Sequence, residues 1–391
     1  MFNSRLNPTK PPASHRAVLE RVGAACRELR PKEDECADRS CRNDQIVSIL
    51  ARHGVFRVGI AEEFGGVGAD PLLIALTAER LGREGFGPSS VFAAHGAQAA
   101  ACIAQWGSKD QKDTYLPSAA AGQRLFGSAQ NQGTGGSQNT TCTVSFSQTA
   151  SGFVLNGEGV LAVNVERGGV LILSALNAGG SPSVFLVDCN TPGLSADVVP
   201  DQARVPSGGL VDVTLRNCEV PEANLLGTLD AGDQVAFGLR LNGRFASAAA
   251  SVGMLADCLE SMSAVAAEFL SRNPAAVGQK SLEHLVAETA VNLEAVRALV
   301  YAAAELKVDY DRRPYWRHLQ LETSTLVSEA KMLADRAVER MLNEAKNIIL
   351  DPRSVPGLVP VRHQRLPRPT IMPTESVEDI ATNIADYYLF Q

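Results

Sequence analysis

The chain has 391 residues, 45% of them hydrophobic, and a formal net charge of -7 at pH 7. Because one hydrophobic core supports roughly 250–300 residues, two or three domains are expected. The hydrophobic content excludes wholesale disorder, and the acidic balance argues against nucleic acid as the main partner. Since no stretch approaches the roughly 20 apolar residues of a membrane span, no membrane association is expected either.

The first part of the chain predicts helices. Ala13–Arg30 and Cys41–His53 place apolar residues three and four positions apart, and a similar period covers Pro71–Gly82 after a proline suited to a helix start. Phe92–Gln105 is rich in alanine and has one apolar face. The polar N-terminus, Met1–Pro12, lacks the apolar core of a signal peptide.

The eight cysteines form no Cys-x-x-Cys pair, and no histidine lies at finger-like spacing from them. This pattern favours free thiols in a reducing compartment over a metal site or a disulfide framework. We therefore predict a cytoplasmic protein without a bound metal.

The pattern changes in the middle of the chain and changes back after Gly232. From about Leu125 to Asn224, short alternating apolar runs are separated by Gly, Pro, Asn and Ser, which predicts the strands of a small barrel or sandwich. The helical period then returns in three long stretches, which should pack as a bundle. The runs are Cys142–Phe146, Phe153–Leu155, Val170–Leu173, Val184–Val187 and Leu210–Leu215, and the stretches are Val235–Arg272, Ser281–Tyr310 and Arg317–Asn347.

These patterns predict an α+β protein of three parts. They are an N-terminal helical domain over residues 1–122, a middle β domain over 123–229 and a C-terminal helical bundle over 230–391. The proline-rich segment Asp351–Pro373 is expected to be irregular, and a last helix is expected over about Val377–Phe390.

Several short motifs occur in one order along the chain. They are Glu62–Gly68, Trp106–Lys112 followed by Tyr115–Pro117, Gly152–Gly157, Thr191–Leu194 and Asn217–Gly227. In their joint order and spacing, from about Val55 to the end, the chain resembles the acyl-CoA dehydrogenase family. The resemblance implies N-terminal helices, a middle β-barrel domain, a C-terminal four-helix bundle and assembly as a homodimer or homotetramer.

The resemblance also implies a chemistry, in which a carboxylate removes the α-proton of an acyl thioester while a β-hydride moves to the flavin of FAD. Glu375 falls on the position of the catalytic base, and Arg244 falls on a helix arginine near the active site. In a subset of the family the base is next to this arginine, where this chain has Gly243, so Glu375 is the remaining candidate. The α-proton is weakly acidic, so the site must raise the pKa of the base and stabilise the enolate oxygen.

The positions that the resemblance assigns to flavin contacts are altered. The family run Thr/Ser-Glu-Pro-x-Ala-Gly-Ser-Asp corresponds to Asn131–Gln138, which loses both acids, and the Trp-Ile-Thr/Ser segment corresponds to Leu161–Val163. The arginine that reaches the cofactor's pyrophosphate is displaced, and a hydroxyl after the base is replaced by valine. The cofactor-facing positions in this chain are Asn131, Gln132, Ser137, Leu161, Val163, Arg272 and Val377.

Each lost contact costs on the order of 1–3 kcal/mol if its partner stays buried. Several such losses together could remove micromolar or tighter binding. Backbone and apolar contacts could still supply most of the affinity for a large cofactor. The sequence therefore predicts a lost or weakened FAD site.

Simpler interpretations accompany the catalytic ones. Glu375 could be an acidic residue at a helix start, where the helix dipole favours negative charge. Arg244 could be a structural arginine of the bundle. His363 lies among Arg362, Arg365 and Arg368, which could form a solvated loop or a clamp for the phosphate of a phosphopantetheine or carrier protein.

Three hypotheses about function follow. The first is an enzyme that acts on an acyl or polyketide thioester of CoA or a carrier protein by proton chemistry, namely isomerisation, dehydration or cyclisation. The second is an FAD-dependent dehydrogenase with divergent cofactor contacts. The third is a non-catalytic subunit that completes the flavin site of a partner in a hetero-oligomer.

Overall fold

The computed structural model describes residues 12–35, 43–130, 144–165, 168–198, 211–272, 279–349, 363 and 377–389. The helices, in chain order, are α1 (Ala13–Glu35), α2 (Asn43–Arg52), α3 (Pro71–Gly82), α4 (Phe86–Phe92), α5 (Ala101–Trp106), α6 (Lys109–Ala120), α7 (Asp233–Arg272), α8 (Gln279–Arg312), α9 (Arg317–Ile349) and α10 (Val377–Leu389). A π-helical segment, Ala93–Ala100, joins α4 to α5. None of the helices in these ranges is long and apolar enough to cross a membrane.

The strands form one sheet in the middle of the chain. They are β1 (Phe126–Gln130), β2 (Ser145–Thr149), β3 (Gly152–Val163), β4 (Val170–Leu176), β5 (Pro182–Asp188), β6 (Leu194–Val198), β7 (Val211–Pro221) and β8 (Leu225–Leu226). The order across the sheet is β6-β7-β3-β1-β4-β5-β8, and β2 pairs with both β3 and β4. Strand β1 is therefore central, with β3 antiparallel on one side and β4 parallel on the other.

The sheet has its own apolar interior. Phe146, Phe153 and Phe185 contact one another edge to face, with ring centroids 5.0–5.7 Å apart. Such tilted aromatic pairs are favoured over face-to-face stacking because of the ring quadrupole. Alternate residues along β3 and β7 complete this cluster, which explains why the middle of the chain alternates between apolar and polar residues.

Close contact between α3 and α7 joins the N-terminal helices to the bundle. A side chain at Gly82 would overlap the backbone of Ala250, and one at Gly253 would overlap the carbonyl of Glu79. Only glycine allows the two backbones to approach this closely. The contact fixes α7 against the N-terminal helices, so residues on α7 have a defined position relative to the sheet.

Helix α6 is connected to the last part of the sheet by a polar contact. Ser108 and Gln111 form a capping box at its start, in which each side chain bonds the backbone N–H of the other residue. The Gln111 amide also donates to the carbonyls of Ala223 and Leu225, both at 2.8 Å. One glutamine therefore both starts the helix and attaches it to β8.

The predicted order of a helical, a β and a second helical part is confirmed. The three long stretches of the C-terminal part form α7, α8 and α9, and α10 occupies the predicted last helix. Strands β1, β6 and β8 were not among the predicted runs. The boundaries at residues 122 and 229 stay predictions.

Candidate functional site

Arg244 lies in the interior of the bundle, on α7. Its side chain is only 5% exposed, and its guanidinium Nη1 donates to the hydroxyl of Ser328 on α9 at 2.7 Å. A buried guanidinium is costly without hydrogen-bond partners, so its position is determined by the groups around it. The structure therefore places the predicted site arginine at the contact between α7 and α9.

A small polar cavity of about 60 Å³ adjoins Arg244. Its walls come from α7, α9 and α10, and its lining residues are Phe237, Arg240, Leu241, Arg244, Ser324 and Asn383. We call this the Arg244 cavity. With two arginines, a hydroxyl and an amide in its lining, it offers donors of the kind that stabilise a developing oxyanion.

Glu375, the predicted base, lies outside the described residues. The last helix, α10, begins two residues later at Val377 and contributes Asn383 to the Arg244 cavity. The chain segment that carries Glu375 is therefore directly continuous with a helix that packs at this cavity. The catalytic role of Glu375 stays a prediction.

Gln98, which the sequence did not reveal, packs against the turn of α7 that carries Gly243. It is fully buried, its Oε1 accepts from the hydroxyl of Ser128 on β1 at 2.9 Å, and its Nε2 donates to the carbonyl of Leu239 on α7 at 3.1 Å. A side chain at Gly243 would overlap the Gln98 amide. The space that a side chain at Gly243 would occupy is thus taken by the Gln98 amide. The only signal was one polar residue within an alanine-rich run.

Leu161 and Val163, two of the predicted cofactor-facing residues, lie on β3 beside β1. Val163 pairs with Ser128 and Leu161 with Gln130. Val163 is 3% exposed and belongs to the apolar cluster of the helices, against which Leu161 also packs. Neither side chain can donate or accept a hydrogen bond. The resemblance implies a hydroxyl that bonds the flavin at the position of Val163 and a tryptophan that shields it at the position of Leu161, and this chain has neither.

The structure describes the other predicted cofactor-facing residues only in part. Asn131, Gln132 and Ser137 lie outside the described residues. Arg272 is the last residue of α7 and Val377 is the first residue of α10, and only their backbones are described. The structure does not bring these residues together in the described part, and their cofactor roles stay predictions.

His95, which the sequence also did not single out, connects the π-helical segment to β1 and α6. The backbone N–H of Phe126 donates to its Nδ1 at 2.9 Å, and its Nε2 lies 3.1 Å from the carbonyl of Ala119. Burial lowers the pKa of His95 to about 4. Both contacts are satisfied by the neutral ring with its proton on Nε2, so His95 is a structural residue.

The interpretation of His363 as part of a solvated loop or phosphate clamp was wrong. Its ring is fully buried, and its Nε2 lies 2.9 Å from the carboxylate of Asp257 on α7. A buried ring bonded to a carboxylate has no face available for a phosphate. The three neighbouring arginines lie outside the described residues.

The cysteines that the structure describes are free thiols. Burial raises the pKa of Cys218 to about 11 and that of Cys26 to about 12, so both are protonated near neutral pH and unreactive. Within the described ranges, no group of three or more His, Cys, Asp and Glu residues could hold a metal ion.

Comparison with known proteins identifies the family. Residues 12–123 match the N-terminal domain of acyl-CoA dehydrogenases, and residues 232–349 match the C-terminal domain. An acyl-CoA dehydrogenase of Bacillus subtilis is 26% identical over 266 residues, which are 67% of this chain and 70% of the relative.

Two solved structures share the whole fold. Butyryl-CoA dehydrogenase from Megasphaera elsdenii superposes with a TM-score of 0.78 at 20% identity, over 97% of this chain and 99% of its own. PigA with FAD and proline superposes with a TM-score of 0.76 at 21% identity, over 97% and 98%. The chain belongs to the acyl-CoA dehydrogenase superfamily of enzymes.

Proposed function

We propose that this protein acts on an acyl or polyketide thioester, of CoA or a carrier protein, by proton transfer at the α-carbon. Glu375 is the base, and Arg244 stabilises negative charge. The observation that carries the proposal is the Arg244 cavity, where a buried arginine and the helix that follows Glu375 share one polar space. Family membership supplies the substrate class, because the relatives act on acyl-CoA.

The reaction needs no external oxidant. Glu375 takes the α-proton, the electron pair of the C–H bond remains on the substrate, and the thioester oxygen becomes an enolate. Hydrogen-bond donors at the Arg244 cavity lower the energy of that oxyanion in a site that excludes water. In a β,γ-unsaturated chain the proton then returns at the γ-carbon and the double bond moves into conjugation. In a β-hydroxy chain the hydroxyl leaves as hydroxide and takes up that proton as water. In a chain with a second carbonyl the α-carbon attacks the carbonyl carbon, the C=O π bond breaks, and its oxygen takes up the proton.

Leu161 and Val163 support the absence of a redox step. The resemblance implies a hydroxyl that bonds the flavin at Val163 and a shielding tryptophan at Leu161, and these two positions on β3 carry only aliphatic side chains. The second candidate is an FAD-dependent dehydrogenase, which is favoured because solved relatives bind FAD. Its affinity would have to come from backbone and apolar contacts. Assembly as a homodimer or homotetramer stays a prediction.

The test is solvent exchange at the α-carbon. The purified protein is incubated with a panel of acyl-CoA thioesters in deuterated buffer, and deuterium at the α-carbon is measured by mass spectrometry. We expect Glu375→Gln to abolish incorporation without loss of fold. The matched control is Glu378→Gln, which removes an acid three residues away and should leave incorporation unchanged. Full exchange in Glu375→Gln would refute the proposal.

The visible spectrum separates the proposal from its alternatives. A bound flavin gives a yellow protein, and reduction of that flavin by a thioester substrate would establish the dehydrogenase. A colourless protein that exchanges α-protons supports proton chemistry. A protein that becomes active only when co-expressed with a homologous chain would instead be the non-catalytic subunit of a hetero-oligomer.

A further inference from the structure

A second cleft, separate from the Arg244 cavity, lies among the helices. Three parts of the chain surround it: the π-helical segment together with α5, the first half of α7, and the end of α8. Its volume is about 170 Å³, far above the roughly 10–15 Å³ that one water needs. It shares no lining residue with the Arg244 cavity. Ala101, Ala104 and Phe245 contribute apolar surface, and Gln105, Asn242, Lys307 and Asp311 contribute polar groups. We call this the Lys307 cleft.

A charged pair one helical turn apart on α8 lines the Lys307 cleft. The ammonium of Lys307 lies 2.5 Å from the carboxylate of Asp311, with the lysine side chain 5% exposed and the aspartate 34% exposed. An ammonium has three donors, and Asp311 accepts a hydrogen bond from one of them. The Asp311 carboxylate can also accept further hydrogen bonds on the side that is exposed. The cleft therefore presents one positive and one negative group side by side.

Two amides of the same cleft carry buried atoms without partners among the described residues. They are Oδ1 of Asn242, a residue only 3% exposed, and Nε2 of Gln105. A buried polar atom without a partner is costly, and in a native protein it calls for a water, an ion or a ligand. Here one atom is an acceptor and the other is a donor, so a ligand that bonds both must carry a donor and an acceptor.

We propose that the Lys307 cleft binds a free α-amino acid with a small aliphatic side chain. The ligand's carboxylate meets Lys307 and the Gln105 amide. Its ammonium meets Asp311 and the carbonyl oxygen of the Asn242 side chain, and its side chain packs on the alanines. Other ligand classes fit worse, because Asp311 repels phosphates and other polyanions and Lys307 repels a metal cation.

This site does not depend on the proposed thioester chemistry, and binding alone tests it. Isothermal titration calorimetry of the full chain with L-alanine and L-valine is compared with propionate and ethylamine, which each carry only one of the two charges. We expect the amino acids to bind at least about tenfold more tightly than either analogue, since each analogue leaves one charged group unmatched. Equal affinity for propionate and L-alanine would overturn the proposal, as would no binding of any amino acid by the folded protein.

Variants assign any binding to this cleft. Lys307→Met and Asp311→Asn should each abolish it. The matched control is Lys331→Met on α9. It breaks a similarly buried pair, between Lys331 and Asp335, that does not line the cleft.

Because loss of a buried charge can unfold the protein, Ala104→Leu provides a second test that fills the cleft without unpairing a charge. Ala104→Leu should abolish amino-acid binding while the melting temperature is unchanged. Unchanged affinity in both Ala104→Leu and Lys307→Met would refute the assignment.

Discussion

The corner where α7, α9 and α10 meet differs chemically from the part of β3 that faces the helices. The corner holds a buried arginine, hydroxyls and an amide around a cavity. At the β3 positions assigned to flavin contacts, the chain has Leu161 and Val163. Because helices hold one region and the sheet holds the other, the residues of the two regions can change independently of each other. The predictions below test this contrast, from the largest expected effect to the smallest.

Replacing Arg244 should have the largest effect. Arg244→Met keeps much of the side-chain volume but removes the charge and leaves the Ser328 hydroxyl without its donor. We expect the rate of α-proton exchange to fall by at least about 100-fold, as for loss of an oxyanion donor. The rate is measured per folded protein.

The control for this prediction is Arg297→Met. Arg297 is also a buried arginine of the bundle, but it pairs with Glu79 on α3 and does not line the cavity. Its loss should reduce stability and leave the exchange rate of the folded fraction unchanged. The same rate reduction in both variants would show that the corner is structural.

His95 should make stability depend on pH. The folded protein holds its pKa at about 4, against an ordinary value of 6.5, so between these values the unfolded chain binds more protons. The free energy of unfolding that the neutral His95 ring contributes is therefore complete above pH 6.5, and it declines as the pH falls toward about 4. The loss is on the order of 3 kcal/mol.

Urea unfolding of wild-type protein and His95→Asn across this range measures the effect. The variant should be less stable at neutral pH because the Phe126 and Ala119 contacts are altered. Its stability deficit should shrink as the pH falls. A deficit that stays constant with pH would show that His95 is not held neutral in the folded protein.

Val163→Thr tests the β3 side of the comparison. The substitution restores a hydroxyl of the kind expected near a flavin, but it places that hydroxyl in an apolar cluster. We expect unfolding free energy to fall by about 1–3 kcal/mol, with no gain in flavin affinity. Val154→Thr, at a half-buried position on the same strand, should cost less. A stable Val163→Thr variant that binds FAD more tightly would show that the strand still faces a cofactor.

Gly243→Ala should have the smallest effect. The new methyl group overlaps the Gln98 amide, and such overpacking costs about 1–3 kcal/mol. Alanine recovers about 0.5–1 kcal/mol of this through its higher helix propensity. In a double-mutant cycle with Gln98→Ala, the Gly243→Ala cost should disappear. Additive costs would mean that the two positions do not compete for the same space.

Helix positions were predictable because their signal is local. The apolar period of 3.6 residues located α7, α8 and α9. Strand β1 was missed because Phe-Gly-Ser-Ala-Gln has no alternating pattern and little β propensity. Its strand structure comes from pairing with β3 on one side and β4 on the other. Pairing with strands that are distant in sequence cannot be predicted from the five residues of β1 alone.

The site was predictable only where the family resemblance reached a residue. Arg244 could be placed because it falls on the helix arginine of the acyl-CoA dehydrogenase family, and its burial agrees with a site role. Gln98 could not be placed, since its importance depends on Gly243, which is distant in sequence but adjacent in space. His363 was misread because a histidine among arginines looks like a surface residue, whereas its partner, Asp257, belongs to another element.

The most direct test of proton transfer without a flavin is the α-proton exchange rate as a function of bound FAD. The protein is freed of any flavin, and deuterium incorporation into an acyl-CoA is measured alone and with FAD added to saturation. The account predicts the same rate in both samples, with no desaturated product. Exchange that appears only with FAD, together with formation of an α,β-unsaturated thioester, would contradict it.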